Sequence, residues 1–383
     1  MKESTGPNIV FVSSFLKNEC GIASYTQDLI SSIKQNNSAA KVSVIAIGSE
    51  ERKAIPKSKF IQFTIQPDLK PSYISASELI NTSEASVVHI QHEFGLYGDN
   101  DGENILELIK RSHKPVVITF HTVLRSPSPR QRFIVEEILK LASKVIVMAQ
   151  SAKDNLVENY DVQVQDNILI IPHGVPKISQ SHNNSIKSTL GLEGKFVIST
   201  FGLLNPGKGI EYVIKAMKSI ADQSALFLVL GKTHPKILKK EGEKYRNYLK
   251  QEIAKNQLED RVSFVDRYLS IKSLISYLKA TDIYITPYLE PQQATSGTLA
   301  YAMGAGKICI STPYIYANEV LDQNRGIIVP FRDADAIAGS INKLIGDPVQ
   351  QKNFKNSAYL YSRSMLWENV GLKHLDVYDF FEN

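Results

Sequence analysis

Residues 195–217 read KFVISTFGLLNPGKGIEYVIKAM. An apolar, β-branched run ends at Phe201, a glycine-rich turn runs from Gly202 to Gly209, and apolar residues at helical spacing start at Ile210. This is strand, turn and helix, the repeating half of a βαβ unit. The apolar run is continuous rather than alternating, as expected of a parallel strand buried on both faces.

The same pattern recurs along the chain. Upstream lie NIVFVSS, KVSVIAIG, KFIQFTI, ASVVHIQH, KPVVITFH, KVIVMA and NILIIPHG; downstream lie SALFLVLG, RVSFVDRY, DIYITPY, KICISTP and RGIIVPF. These strands are too many for one sheet of ordinary size. The polar stretch SQSHNNSIKSTLGLEG at 179–194 divides them into two series. The expected architecture is α/β, with two Rossmann-like doubly wound domains facing a cleft, over residues 1–180 and 190–350. A helical segment over 351–383 carries the sole tryptophan, Trp367, and is expected to cross back to the first domain.

A chain of 383 residues suits two domains. Its 43% hydrophobic and 22% charged residues are those of a globular protein. The net charge of +5 is spread along the chain without a basic block, so nucleic acid is not an expected partner. Cys20 and Cys309 lie far apart and lack metal-ligand spacing, which points to a reducing compartment and no structural zinc. No apolar run approaches a membrane span and MKESTGPN lacks the core of a signal peptide, so the expected location is cytoplasmic.

Ligands of open α/β sheets bind beyond the carboxyl ends of the strands. There Lys208 lies between Gly207 and Gly209, where its ammonium could reach a pyrophosphate and glycine keeps the backbone close; a solvated lysine in a turn would read the same way. Thr295, Ser296, Gly297 and Thr298 gather where a helix should start, which fits an anion held by open amides and equally a capped helix. His121 ends an apolar strand and could bond a substrate hydroxyl or a departing oxygen, or serve the structure. His92 and Glu93 form a polar pair at another strand end, for acceptor recognition or local capping. His89 is expected on the other face of its strand, in a structural role. Gly21 precedes a helix and could admit a ligand to the backbone. Glu290 follows a strand and could bind sugar hydroxyls, although an exposed loop carboxylate is the commoner case. Histidines 89, 92, 121 and 173 form no metal motif, so no metal is assigned.

Taken in order, CGIASYTQDL, VVHIQHEFG, VVITFHTV, IPHGV, FGLLNPGKGIEYVIKAM, VDRYLS, DIYITPYLEPQQATSGTLAYAMGAGKICISTP and RGIIVPF resemble the retaining, nucleotide-sugar-dependent glycosyltransferases of family 4 (glycosyl transferases group 1), with the GT-B fold. The resemblance covers nearly the whole chain. It implies a hexosyltransferase of carbohydrate biosynthesis that uses a nucleoside-diphosphate sugar, a carbohydrate acceptor and no metal or other cofactor. The second domain would hold the nucleotide and the first the acceptor. By this resemblance Lys208 neutralises the donor pyrophosphate, His121 contacts the donor sugar, Gly21 lies near the phosphates, and the 296–298 backbone holds the pyrophosphate.

Two departures stand out. The family's paired glutamates fall on Gln293 and Tyr301, and its arginine five before the lysine falls on Leu203. Glu290 could take over the sugar contact with Gln293 beside it, and Arg267 could supply the missing cation. The alternatives are a sugar-nucleotide epimerase or glycan phosphorylase on the same fold, or a sugar-nucleotide-binding protein without catalysis.

Overall fold

The computed structural model describes residues 6–15, 20–48, 59–162, 165–179 and 184–382. The chain divides into two compact units: Met1–Gly174 with Gln293–Thr295 and Trp367–Asn383, and Val175–Gln292 with Ser296–Leu366. The first boundary therefore falls at Gly174, ahead of the polar stretch at 179–194, of which 180–183 lie outside the described residues. Residues 351–366 stay with the second unit, and the return to the first begins at Trp367.

Among the described residues the first unit has seven strands: β1 (Asn8–Ser13), β2 (Lys41–Ile47), β3 (Ile61–Ile65), β4 (Val87–His92), β5 (Val116–Phe120), β6 (Lys144–Val147) and β7 (Ile168–Ile170). They pair in parallel in the order β3-β2-β1-β4-β5-β6-β7. The order reverses between β1 and β4, which opens the crevice where such sheets take ligands. Every residue of β4 and β5 is buried, so both faces are covered by helices.

Helix Trp367–Asp379 packs on helix Gly21–Asn36. Close approach depends on Gly371, since a Cβ there would lie 2.2 Å from Ser32 Oγ. Ser32 Oγ donates to the Trp367 carbonyl and Asn36 Nδ2 donates to the Glu368 carbonyl at 2.8 Å. Val370, Leu375 and Tyr378 join Ile9, Phe11, Tyr25 and Leu29 in one core. The Trp367 ring lies against Gly174, where a side chain would sit 2.3 Å from the indole.

The second unit has six described strands: β8 (Phe196–Phe201), β9 (Ala225–Leu230), β10 (Val262–Val265), β11 (Ile283–Thr286), β12 (Ile308–Ser311) and β13 (Ile327–Ile328). They are parallel in the order β10-β9-β8-β11-β12-β13, with the reversal between β8 and β11. The apolar faces of helices Ile210–Ala216, Lys244–Lys255 and Ala334–Ile345 close over this sheet, burying Val213, Leu249 and Ile341 with Phe227 and Ile283. No described helix is long and apolar enough to cross a membrane.

Candidate donor and sugar sites

The loops after β8 and β11 flank the reversal point of the second sheet, and they are knitted together. Gly209 has φ +61°, and a Cβ there would come 2.1 Å from the Pro287 carbonyl oxygen. Both facts demand glycine. Leu289 N–H donates to the Gly207 carbonyl at 2.9 Å. The result sets Lys208 Nζ 3.6 Å from the ring centroid of Tyr288, a cation–π contact on a buried ring that itself stacks on Tyr314 at 5.4 Å. Tyr288 Oη shares a 2.7 Å hydrogen bond with Thr298 Oγ1, so one tyrosine joins the lysine loop to the 296–298 turn.

Ser296 is the N-cap of helix Gly297–Gly304; its Oγ accepts from Leu299 N–H at 3.3 Å and lies 3.2 Å from Thr298 Oγ1. The cap leaves the amides of Gly297 and Thr298 without a hydrogen bond among the described residues. Open amides, a helix N-terminus and an ammonium thus share one corner, an arrangement suited to an anion. Thr295 and Gln293 lie just ahead, with Gln293 Nε2 donating to the Thr295 carbonyl at 3.0 Å.

The departures resolve differently. Tyr301 is buried beside Phe201, ring centroids 6.5 Å apart, so the second matched glutamate position is given to packing. Glu290 is exposed, and its Oε1 accepts from Gln292 N–H at 2.9 Å, capping its own turn. Arg267 is exposed at the end of β10, the edge strand, with β9 between it and β8. Closer to Leu203 in register is Lys232. Leu204 N–H donates to the Lys232 carbonyl at 2.8 Å and His234 N–H donates to the Leu204 carbonyl at 2.9 Å. Sequence reading passed over Lys232 and Tyr288, because each meets the loop through a strand pairing or ring contact that the sequence does not display.

In the first unit His121 follows β5, its N–H bonded to the His92 carbonyl at 3.0 Å. Its half-buried ring lies edge-on to Tyr25, centroids 5.0 Å apart at 87°. Tyr25 also meets His173 at 5.2 Å and Trp367 at 5.2 Å. Desolvation, with His173 and His92 adding to it, pulls the His121 pKa down to about 3. The ring is therefore neutral at physiological pH. Gly21 opens the helix of Tyr25 behind the Cys20 cap, and among the described residues, which do not include 16–19 ahead of it, a Cβ on it would meet nothing within 4 Å.

Two expectations are corrected. His89 shares the face of Gln91, since residues two apart on a strand point the same way, and Gln91 Nε2 lies 3.2 Å from His89 Nε2. His92 is fully buried among Phe94, Tyr97 and Phe120, so its ring presents no face to an acceptor. Its partner Glu93 is half-buried and accepts from Thr122 Oγ1 at 2.9 Å and Phe94 N–H at 3.0 Å.

Burial makes this unit acid-sensitive. His89, His92 and His374 are wholly enclosed, and desolvation drives His89 well below its ordinary value, His92 to about 3 and His374 to about 4. Below the unfolded value near 6.5 the unfolded chain takes up protons that the folded unit refuses, so stability falls as pH falls. Each ring contributes up to about 1.4 kcal/mol per pH unit over that window. Urea unfolding followed by Trp367 fluorescence should show a lower midpoint at pH 5 than at pH 7. Equal midpoints would mean that these rings already carry protons in the fold.

Two Rossmann-like domains with these topologies define the GT-B fold. Residues 21–177 match the Glycosyltransferase Family 4 description and residues 182–361 the Glycosyl transferases group 1 description. The chain belongs to the group 1, family 4 glycosyltransferases. Solved structures with the same fold include HepE from Anabaena in complex with UDP and glucose, 17% identical, TM-score 0.76, covering 98% of this chain and 100% of that one. Sucrose-phosphate synthase from Thermosynechococcus elongatus is also 17% identical, with TM-score 0.78 and coverage of 98% and 99%. A glycosyltransferase from Rickettsia africae is 18% identical, with TM-score 0.75 and 99% of both chains covered. No curated protein matches the chain in sequence.

Proposed function

We propose that this protein is a cytoplasmic hexosyltransferase of carbohydrate biosynthesis that moves a hexose from a nucleoside-diphosphate sugar to a carbohydrate acceptor with retention, without a metal or other cofactor. The observation that carries the reading is the corner at the β8–β11 reversal, where Lys208 and the open Gly297 and Thr298 amides gather around Tyr288. HepE with bound UDP and with UDP-glucose, on the same fold, supports a nucleotide sugar as the donor.

The chemistry asks for little beyond this. The bond from the anomeric carbon to the phosphate oxygen breaks, the acceptor oxygen bonds that carbon on the same face, and its proton passes to the departing phosphate. No protein nucleophile enters. The chain's part is to stabilise the negative charge growing on the diphosphate, through Lys208 and the two amides, and to orient both substrates. With Leu203 in place of a cation, the proposed helpers are Arg267, at the end of the edge strand, and Lys232, whose backbone pairs beside Leu203. His121 is the proposed sugar contact, Gly21 gives backbone access, and Glu93 remains the proposed acceptor group.

The test is a thermal-shift panel of UDP, GDP and ADP, followed by turnover with the matching sugar donors and assignment of the product anomer by NMR. Transfer with the donor's anomeric configuration supports the reading. Inverted product, an epimerised free sugar, phosphorolysis of a glycan, or binding without turnover each overturns it in favour of a different activity.

Glu290 is the proposed carboxylate for the sugar hydroxyls; its Oε1 holds the Gln292 N–H. A contact that tightens as the sugar gains positive charge acts on rate more than on binding. Glu290→Gln should therefore lower kcat several-fold with donor KM nearly constant, while Gln293→Glu is tolerated. Normal kcat in Glu290→Gln would leave Gln293 and the backbone as the sugar contacts.

A further inference from the structure

A chain of buried hydrogen bonds runs from His121 into the core. Gln91 is fully buried on β4, with its Oε1 2.9 Å from His121 Nε2 and its Nε2 3.2 Å from His89 Nε2. His89 is held in turn by Thr119 Oγ1 at 2.7 Å on Nε2 and by Tyr378 Oη at 2.6 Å on Nδ1. Tyr378 belongs to the returning C-terminal helix, so that helix braces the last link.

We propose that Gln91 is a positioning residue that fixes the His121 ring as its Nε2–H tautomer, leaving Nδ1 as an acceptor for a hydroxyl of the bound sugar. An amide oxygen only accepts, so the 2.9 Å bond to Oε1 requires the proton on His121 Nε2. The amide nitrogen only donates, so His89 Nε2 is the acceptor, its single lone pair shared between the Gln91 amide at 3.2 Å and the Thr119 hydroxyl at 2.7 Å, and His89 Nδ1–H donates to Tyr378 Oη. Every link then has one donor and one acceptor, and the direction is the same along the chain. A neutral imidazole with one nitrogen so bonded has its other nitrogen set as an acceptor. His121 Nδ1 has no hydrogen bond among the described residues. The titratable groups around the ring are His89 and His92 on β4, His173 after β7, Tyr25 on its helix, and Glu93, bonded to the adjacent Thr122.

This inference rests on reading His121 as the sugar contact, and the experiment separates the two. Nitrogen-15 spectra should show a slowly exchanging proton on His121 Nε2 of the native enzyme, assigned by its loss in His121→Ala. Gln91→Leu should lose that slow proton and lower kcat up to about a hundredfold, as a misplaced contact to the substrate does, with nucleoside-diphosphate affinity unchanged. Gln91→Glu keeps an acceptor and should keep the slow proton. Its carboxylate favours the charged ring, so the acid limb of kcat should move to higher pH, a change that a purely structural glutamine would not produce. A native proton on Nδ1, or Gln91→Leu with the slow proton and kcat both intact, overturns the proposal. If Gln91→Leu does not fold, an unshifted acid limb in Gln91→Glu overturns it. Normal turnover in His121→Ala would instead remove the sugar contact, while the spectra still decide the tautomer.

Discussion

Lys208→Ala binds a nucleoside diphosphate about ten- to hundredfold more weakly than the native protein and melts within a few degrees of it. A charge-assisted contact to phosphate contributes about 1.5–3 kcal/mol, which is the source of the affinity loss. The lysine's contact with the fold is its place over Tyr288, and a cation–π pair of partial exposure contributes about 0.5–1 kcal/mol, which is the source of the small change in melting. Because Leu203 supplies no cation, Lys208 is expected to carry more of the diphosphate charge than it would in a paired site, which places the loss toward the upper end of that range. Lys208→Arg keeps the charge and should recover part of the affinity. Isothermal titration across a salt series checks the assignment, since a phosphate contact weakens as salt rises. Equal diphosphate affinity in Lys208→Ala and the native protein would take Lys208 out of the site.

The strands were legible because parallel strands buried on both faces leave a continuous apolar run, as in Phe196–Phe201 and Val116–Phe120. The loops of the candidate site were legible as glycine and hydroxyl residues at strand ends, where Gly209 proves to be required by φ and by the Pro287 carbonyl. What escaped was pairing between distant residues. Tyr288 under Lys208, and Lys232 beside Leu203, depend on how β8 meets β9 and β11, and no local pattern encodes that. The returning helix was legible in its periodicity, but its seat was not. Gly174 and Gly371 receive Trp367 and Ser32, and a glycine in sequence does not say what will fill its space. The histidines misled in another way. A polar residue at a strand end reads as available to ligand, yet His92 is enclosed by three aromatic rings; His89, read as structural, is held by Thr119 and Tyr378 but on the same face as Gln91.

His121→Ala lowers turnover about a hundredfold or more and leaves the affinity for the free nucleoside diphosphate unchanged. The free diphosphate lacks the sugar, so it does not sense the ring, whereas a positioned hydrogen-bond group beside a reacting centre is typically worth about a hundredfold or more in rate. The form of the ring follows from its surroundings. Its pKa is depressed to about 3, so the proton arrives only as pH falls toward that value, and no ionisation of His121 should shape kcat between pH 5 and 8. A flat profile over that range in the native enzyme, with the same flat profile at reduced height in His121→Ala, is the expected pair of curves. His121→Asn retains a hydrogen-bonding side chain and should recover part of the loss, which simple removal of packing against Tyr25 would not allow. A native profile that rises or falls near pH 6.5 and becomes flat in His121→Ala would show the ring titrating in solvent. The sugar would then meet an exposed imidazole rather than a neutral one set by Gln91 and the core behind it.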